Sequence, residues 1–574
     1  MCWEDVVHQE DLETALLRRN ERHLRQTEQE AGISTRPPLS TIRENYGVNT
    51  CAKHLCRNVL HSSHDLDLTP EMTAFFTALQ KDPHSSLPLI DGALTSGDVQ
   101  SMFKRAKECT SSDSSTLNYT IWKCLATDDV IAGILSILFS LPFLYGFVNR
   151  HWTSMTDFML EKKPGVRHIH SLRIIGKVAA EFNTILKFLI GKKAMNNYEN
   201  SSPHDEQHGF RPNRSSIDAA LLKVLTFDCA RLQKCTVGSI QHDMVAHFDR
   251  MYPAMTSLYA SKYGIDENVM LCINRTIAQL QRRVKTSLGV SEASYGNTPG
   301  TVPLGGMVQG KADVPQWSTQ QSDAMLSAFS TLAPRLHISS PSLCRAITHR
   351  NISFADDTDA QTSQPPGASD PIPAVVRDLQ HGAQVWNCLV QICGGQLALH
   401  KCNWTLIAWE LIQGRLQLVL STTERLIMAD GNGSFATIEF LPPDQPNVGL
   451  GYRICPNGSQ LTHYEATLLA LTTLCRKCMS SHLTEAETRQ LLRQRLRPKL
   501  VYAIHLSSFT QAQCGKMNSV IRSTLLPRLH FNRHYPTALL YGPLEYRGMR
   551  SNPYSTVNAW NHSQRGEWMY TVRT

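Results

Sequence analysis

The segment Arg350–Ala360, RNISFADDTDA, drives a short strand-like run straight into two adjacent aspartates, Asp356 and Asp357, with Asp359 close behind. Side-by-side carboxylates repel each other, so the pattern reads as a strand that stops at a hairpin tip, with TDAQTS returning. A second run of the same kind lies upstream. CTVGSI (Cys235–Ile240) reads as a strand, and the QHDMVAHFDRMYP that follows delivers Asp243, then Phe248 and Asp249. Two neighbouring strands that each end in aspartate would bring carboxylates together from about a hundred residues apart, and divalent cations between them would relieve the repulsion. Hard oxygen donors suit Mg²⁺, which keeps some waters and takes phosphate oxygens as further ligands. A pair of such ions clamps the attacking and leaving oxygens of an in-line phosphoryl displacement.

The placement of charge agrees with that chemistry. Net charge is +8, but residues 466–574 hold 15 Lys+Arg against 4 Asp+Glu, a net of +11, which leaves −3 for the rest. No aspartate follows Asp444. An acid-bearing centre followed by a basic C-terminal region suits a metal site that works on a polyanion.

At 574 residues the chain is too long for one core, and 42% hydrophobic with 18% charged residues excludes a disordered protein. The 16 cysteines are scattered, and no secretory signal opens the sequence, so they read as reduced thiols of an intracellular protein, in nucleus or cytoplasm. Two Cys/His groups, Cys51/His54/Cys56/His61/His64 and Cys475/Cys478/His482, lack the paired spacing of a zinc site. The uncharged run Val130–Val148 is long enough to span a bilayer, yet it carries Ser136, Ser140, Pro142 and Gly146 and has no counterpart. It reads as a buried helix broken near Pro142. Elsewhere, residues 152–189 read as strand and helix, 259–284 as one long helix, 346–354 as one strand, and the region past Leu461 as mainly helical.

Six blocks in order resemble the reverse transcriptase of non-long-terminal-repeat retrotransposons. They are MLEKKPGVRHIHSLRIIGKVAAEFNTILK (Met159–Lys187), QHGFRPNRSSIDAA (Gln207–Ala220), HDMVAHFDRMYP, GGMVQGKADVPQW (Gly305–Trp317), FADD and GGQLALHKCNW (Gly394–Trp404). The resemblance implies an α+β right hand: fingers, an antiparallel-sheet palm with helices on one face, and a helical thumb. The implied divisions are a mostly helical N-terminal extension over 1–120, fingers 121–235, palm 236–440, and a basic thumb with a C-terminal module over 441–574.

It also implies an RNA-templated DNA polymerase that extends a DNA primer with deoxynucleoside triphosphates, without a membrane. Asp243, Asp356 and Asp357 would hold two Mg²⁺ ions, for which Mn²⁺ could substitute. Phe248 would be the steric gate against a 2′-hydroxyl, and Gln309 and Gly310 would line the nascent base pair. Arg173, or else Arg167, would grip the triphosphate together with Lys163 or Lys162. Lys401 would protonate departing pyrophosphate. Arg211 and Arg214 would lie near template phosphates or cap a helix. Asp249 and Asp359 would make local bonds. The sequence departs from the family at RII in the fingers block and at Lys311 after the Gln-Gly pair. The competing reading is a relic or maturase-like protein that binds RNA without polymerising. Asp430 and Glu465 mimic the first carboxylates of a ribonuclease H module, but the aspartates such a fold needs downstream are missing.

Overall fold

The computed structural model describes residues 6, 8–29, 37–56, 68–81, 86–113, 117–296, 304–339, 345–430, 434–532 and 534–536. They form an α+β chain with mixed sheets. It divides into two units, one of residues 1–215, 237–404 and 423–440, the other of 216–236, 405–422 and 441–574.

The first unit opens with helix α1 (Gln9–Gln29). Leu16 and Leu24 are eight residues apart, so they share one face, and both are buried in a cluster with Ile174, Val284, Tyr295 and Leu304. Each buried leucine contributes about 2 kcal/mol of apolar transfer. Most described residues before position 120 are helical.

Helix α2 (Asp129–Tyr145) starts where the Asp128 side chain accepts from the Val130 and Ile131 amides, and stops at Gly146 in a left-handed conformation (φ 66°). It runs through Pro142 rather than breaking there. Proline removes one helical bond, but this one lies in the last turn, with little helix beyond it to hold. One face (Ala132, Leu135, Phe139, Phe143) is buried, whereas Val130, Ile134, Ile137 and Leu138 are exposed. Among the described residues no single helix is long and apolar enough to cross a membrane. The helix Tyr119–Leu125 and α2 reach that length and hydropathy only as a pair bent by 120°.

Strands β1 (Ser154–Glu161) and β2 (Leu172–Lys177) form an antiparallel hairpin that pairs Leu160 with Arg173. The next strand is β3 (Thr236–His242). The long helix expected over 259–284 is instead three elements: α3 (Pro253–Lys262), α4 (Glu267–Ala278) and β4 (Gln281–Thr286). Gly264 (φ 77°) stops the first, and the Asp266 side chain caps the second through the Asn268 amide at 2.8 Å. β4 then lies parallel to β1, in a small sheet of order β2-β1-β4.

After α5 (Val314–Leu332) come β5 (Asn351–Phe354) and β6 (Asp357–Gln364), an antiparallel hairpin in which Asp357 opposes Phe354. The single strand expected over 346–354 divides at Arg350, because residues 346–349 pair with Leu336–Ser339 in a separate ribbon. Helix α6 (Pro371–Ile392), then β7 (Asn403–Ile407), β8 (Leu426–Ala429) and β9 (Phe435–Phe440), complete a six-stranded sheet of order β8-β9-β7-β3-β6-β5. This sheet is mixed rather than wholly antiparallel. The chain runs out to edge strand β8 and returns, which leaves β9 parallel to β7, with Asn403 opposite Glu439. Trp386 of α6 lies 6.1 Å from the His242 ring and meets Phe329 of α5 edge-on. That contact sets the α6-facing side of β3.

In the second unit the helix Ser216–Gln233, expected to belong with the fingers, is tied instead to the later chain. Lys223 Nζ donates to Asn447 Oδ1 at 2.9 Å, and Arg231 donates to the Pro456 carbonyl at 2.6 Å. Helices α7 (Leu461–Ser480) and α8 (Gln511–Arg528) share a core that includes Leu471, Cys475, Cys478, Met517 and Leu525. Burial pushes the Cys475 thiol up to about 11. Cys51, His54 and Cys56 lie on or beside the helix Thr50–Cys56, while His61 and His64 fall outside the described residues. Between α7 and α8, Arg493, Arg495, Arg497 and Lys499 are all exposed.

Candidate active site

The geometry starts from strand periodicity. Successive side chains alternate between the two faces of a sheet. His242 faces α6, so the odd-numbered residues of β3 and the Asp243 that follows it face away. On the neighbouring strand, Gln361 Nε2 donates to Ser239 Oγ at 3.3 Å, which puts the odd-numbered residues of β6 on that same face. Asp243 and Asp357 therefore share the side opposite α6.

The turn after β3 also lies beside the tip of the β5–β6 hairpin. His247 Nε2 is 2.8 Å from Ser318 Oγ, and Ser322, one turn further along α5, donates to the Ala355 carbonyl at 3.4 Å. Burial lowers the His247 pKa, and the nearby charge of Asp356 opposes that shift. Ala355 holds the tip with a left-handed backbone, φ 59°.

A second segment braces this tip. The His208 amide donates to the Ser353 carbonyl at 2.8 Å, the Ser353 amide donates to the Glu206 carbonyl at 3.0 Å, and Gly209 passes directly over Ala355. Arg211, offered by the sequence as a template contact or a helix cap, is buried. It makes two 2.9 Å bonds to Glu199 and also donates to the His204 and Gln207 carbonyls, so it staples the loop. Arg214 pairs with Asp205 at 2.8 Å.

Lys401 reaches Asp243, Nζ to Oδ2, at 3.0 Å. Its turn is stitched to that strand end, since the Ala398 amide donates to the Asp243 carbonyl at 2.8 Å. Among the described residues no three His, Cys, Asp or Glu side chains converge closely enough to hold an ion by themselves. The donor set still fits Mg²⁺ in kind, being carboxylate oxygens on one sheet face with a cation already drawn to one of them. Phosphate oxygens and water would have to complete such a site.

Phe248 is half-buried, and its carbonyl accepts from the Met307 amide at 2.9 Å. The Gln309 carbonyl accepts from the Gly176 amide of β2 at 2.8 Å. At Gly310 a side chain would meet the Gly176 carbonyl at 2.7 Å, and φ is 111°, so glycine is required there. The Gly-x-x-Gln-Gly block is thus threaded between Phe248 and the β1–β2 hairpin. Lys311, an oddity in the sequence, is fully buried against Asp313 at 3.1 Å, and Asp313 also accepts from Trp317.

Arg173 is exposed on β2, whereas Arg167 is engaged by Glu161 at 3.4 Å. Lys162 lies in a cationic group. Partial burial lowers its pKa, and the charges of Arg19, Arg173 and Lys401 push the same way while Asp249 opposes them. Lys163 is exposed in the hairpin loop. Asp249, expected to bond locally, instead meets His23 of α1 at 3.0 Å, far away in sequence. Arg19, His23 and Gly209 were not singled out from sequence. No short motif marks the first two, whose partners are more than a hundred residues away.

No protein-family model matches the chain, and no curated protein matches it.

Proposed function

We propose that the chain is a template-directed nucleotidyltransferase of the reverse transcriptase kind, which extends a DNA primer on an RNA template. The observation that carries this reading is the placement of Asp243 and Asp357 on one face of adjacent strands, with Asp356 at the tip beside His247. Asp243, Asp356 and Asp357 would hold Mg²⁺. When bound, Mg²⁺ would lower the charge cost at the attacking 3′-hydroxyl and at the leaving pyrophosphate.

The protein's own groups supply the rest. Phe248, anchored through Met307, sets a wall against the 2′ position of an incoming sugar. Arg173 offers a fixed positive charge to a triphosphate, with Lys163 or Lys162 beside it, and a guanidinium matches phosphate geometry through its forked donors. Lys401 pairs with Asp243 at 3.0 Å and would give a proton to departing pyrophosphate. In the second unit, the exposed Arg493, Arg495, Arg497 and Lys499 suit phosphate contacts that carry no sequence information.

Primer extension on an RNA template tests the reading. Wild type should incorporate deoxynucleotides with Mg²⁺, and Asp356→Ala should lose at least about a thousandfold in rate. A folded wild type that binds RNA but shows no Mg²⁺-dependent incorporation would leave the relic or maturase-like reading in its place.

A further inference from the structure

The N-terminal helix α1 is bonded to three segments that are far apart in sequence but all border the candidate nucleotide subsite. Arg19 Nη2 donates to the Leu172 carbonyl at 2.9 Å and to the His170 carbonyl at 3.4 Å. These carbonyls lie at the start of β2, immediately before Arg173. One turn on, His23 Nε2 meets Asp249 Oδ2 at 3.0 Å, next to Phe248. The Leu24 carbonyl accepts from the Gly305 amide at 2.8 Å, at the head of the segment that carries Gln309 and Gly310. Asn20, wholly buried, donates to the Met159 sulfur of β1 at 3.4 Å.

The geometry has a consequence for Phe248 and Arg173. β2 is the edge strand of its sheet, so its outer side is not held by a neighbouring strand. The short helix His247–Arg250 that carries Phe248 is a single turn and has no side-chain cap. The 304–310 segment bonds each of them once, at the Phe248 carbonyl and the Gly176 amide, and each takes a further bond from α1. His23 and Asp249 are only 18% and 12% exposed, so water screens their contact little.

We propose that α1 positions the nucleotide subsite. His23 holds Asp249 and so fixes the Phe248 ring, while Arg19 holds the carbonyls before Arg173 and fixes that guanidinium. Both are positioning residues, since neither is required to touch the nucleotide. The proposal rests on the polymerase reading. It adds that residues of the N-terminal extension control nucleotide affinity and sugar choice.

The test uses the full chain with primer extension at varied nucleotide concentration, together with hydrogen exchange. His23→Leu should raise KM for deoxynucleotides about tenfold with a smaller change in kcat, and should lower discrimination against ribonucleotides. His23→Gln keeps a donor for Asp249 and should restore most of both. Arg19→Met, which leaves the Phe248 contact intact, should raise KM alone. A merely structural helix would lower melting temperature in all three variants while KM and sugar discrimination of the folded enzyme stayed at wild-type values, and that result overturns the proposal. If wild type incorporates nothing, the polymerase reading fails separately. Exchange then decides the positioning claim. Faster exchange over 246–250 in His23→Leu and over 168–173 in Arg19→Met upholds it, and unchanged exchange at both refutes it.

Discussion

Gly209 offers the sharpest test of how the site is held. It follows Gln207 and His208, which run along β5 beside Ser353, and its own amide donates to Gln207 Oε1 at 2.6 Å. A Cβ placed there would lie 2.2 Å from the Ala355 nitrogen and 2.9 Å from its Cα. Ordinary contact begins near 3.4 Å, so Gly209→Ala must push two backbone segments apart by roughly 1 Å. Neither obstacle is a side chain that can rotate away, and Ala355 already holds a left-handed backbone that leaves little slack. Overpacking of this kind costs about 1–3 kcal/mol, a lowering of the melting temperature by a few degrees. Asp356 is the next residue, and on the polymerase reading its displacement by about 1 Å should cost on the order of a hundredfold in rate. Thermal melting and single-turnover primer extension would measure both effects. Gly133→Ala is the control: it sits in α2 with nothing within 4 Å of the new methyl, and should be neutral or slightly stabilising. Wild-type melting and wild-type extension in Gly209→Ala would refute the claim that this segment seats the aspartate tip.

Glu206 and Phe248 give two further tests. Burial pushes the Glu206 carboxyl up to about 7 from an ordinary 4.5, although its Oε1 accepts from the Arg350 amide at 2.7 Å. The folded state holds that proton more tightly than the unfolded one, so stability is lost as pH rises from 4.5 through about 7, by about 3 kcal/mol in all. Glu206→Gln keeps an acceptor and removes the charge. It should stabilise the protein at pH 8 and do little at pH 4, as read by denaturant unfolding, and an equal gain at both pH values would rule out titration as the cause. Phe248→Ala should admit ribonucleotides at least about tenfold more readily in competition extension. Because Met307 bonds the Phe248 backbone rather than its ring, the local turn should survive, and unchanged sugar discrimination would remove the gate assignment.

The carboxylates of the site were legible because their constraints act between near neighbours. That Asp243 ends one strand and that Asp356 and Asp357 sit at a hairpin tip could be read from the local pattern, whereas the shared face of Asp243 and Asp357 rests on the contacts His242–Trp386 and Gln361–Ser239. One expectation failed although local signals against it were present, outweighed by the helical hydrophobic pattern. Gly264 and the cap at Asp266 break what looked like one helix over 259–284. Pro142 has the opposite lesson: its strength as a breaker depends on how much helix follows, and only the last turn of α2 does. Nothing local announces that β9 runs parallel to β7, because that direction follows from where the edge strand lies.

The cations divide the same way. Lys401 and Arg173 stand in recognisable blocks, but Arg19 and His23 sit on an N-terminal helix outside all of them. Their partners at 170–172 and 249 become visible only once the chain is folded. Lys311 is the instructive intermediate. Beside Gln309 and Gly310 it looks like a departure from the pattern, and its partner Asp313 is only two residues away, in plain view. What the sequence withholds is that both are fully buried. At the surface such a pair is worth little, whereas in the interior neither charge can be removed without leaving the other stranded at a cost of about 3–5 kcal/mol. The residue that departs from the resemblance is therefore one half of a buried pair, and a reading of Lys311 as decay would have to explain why Asp313 is placed to accept from both Lys311 and Trp317.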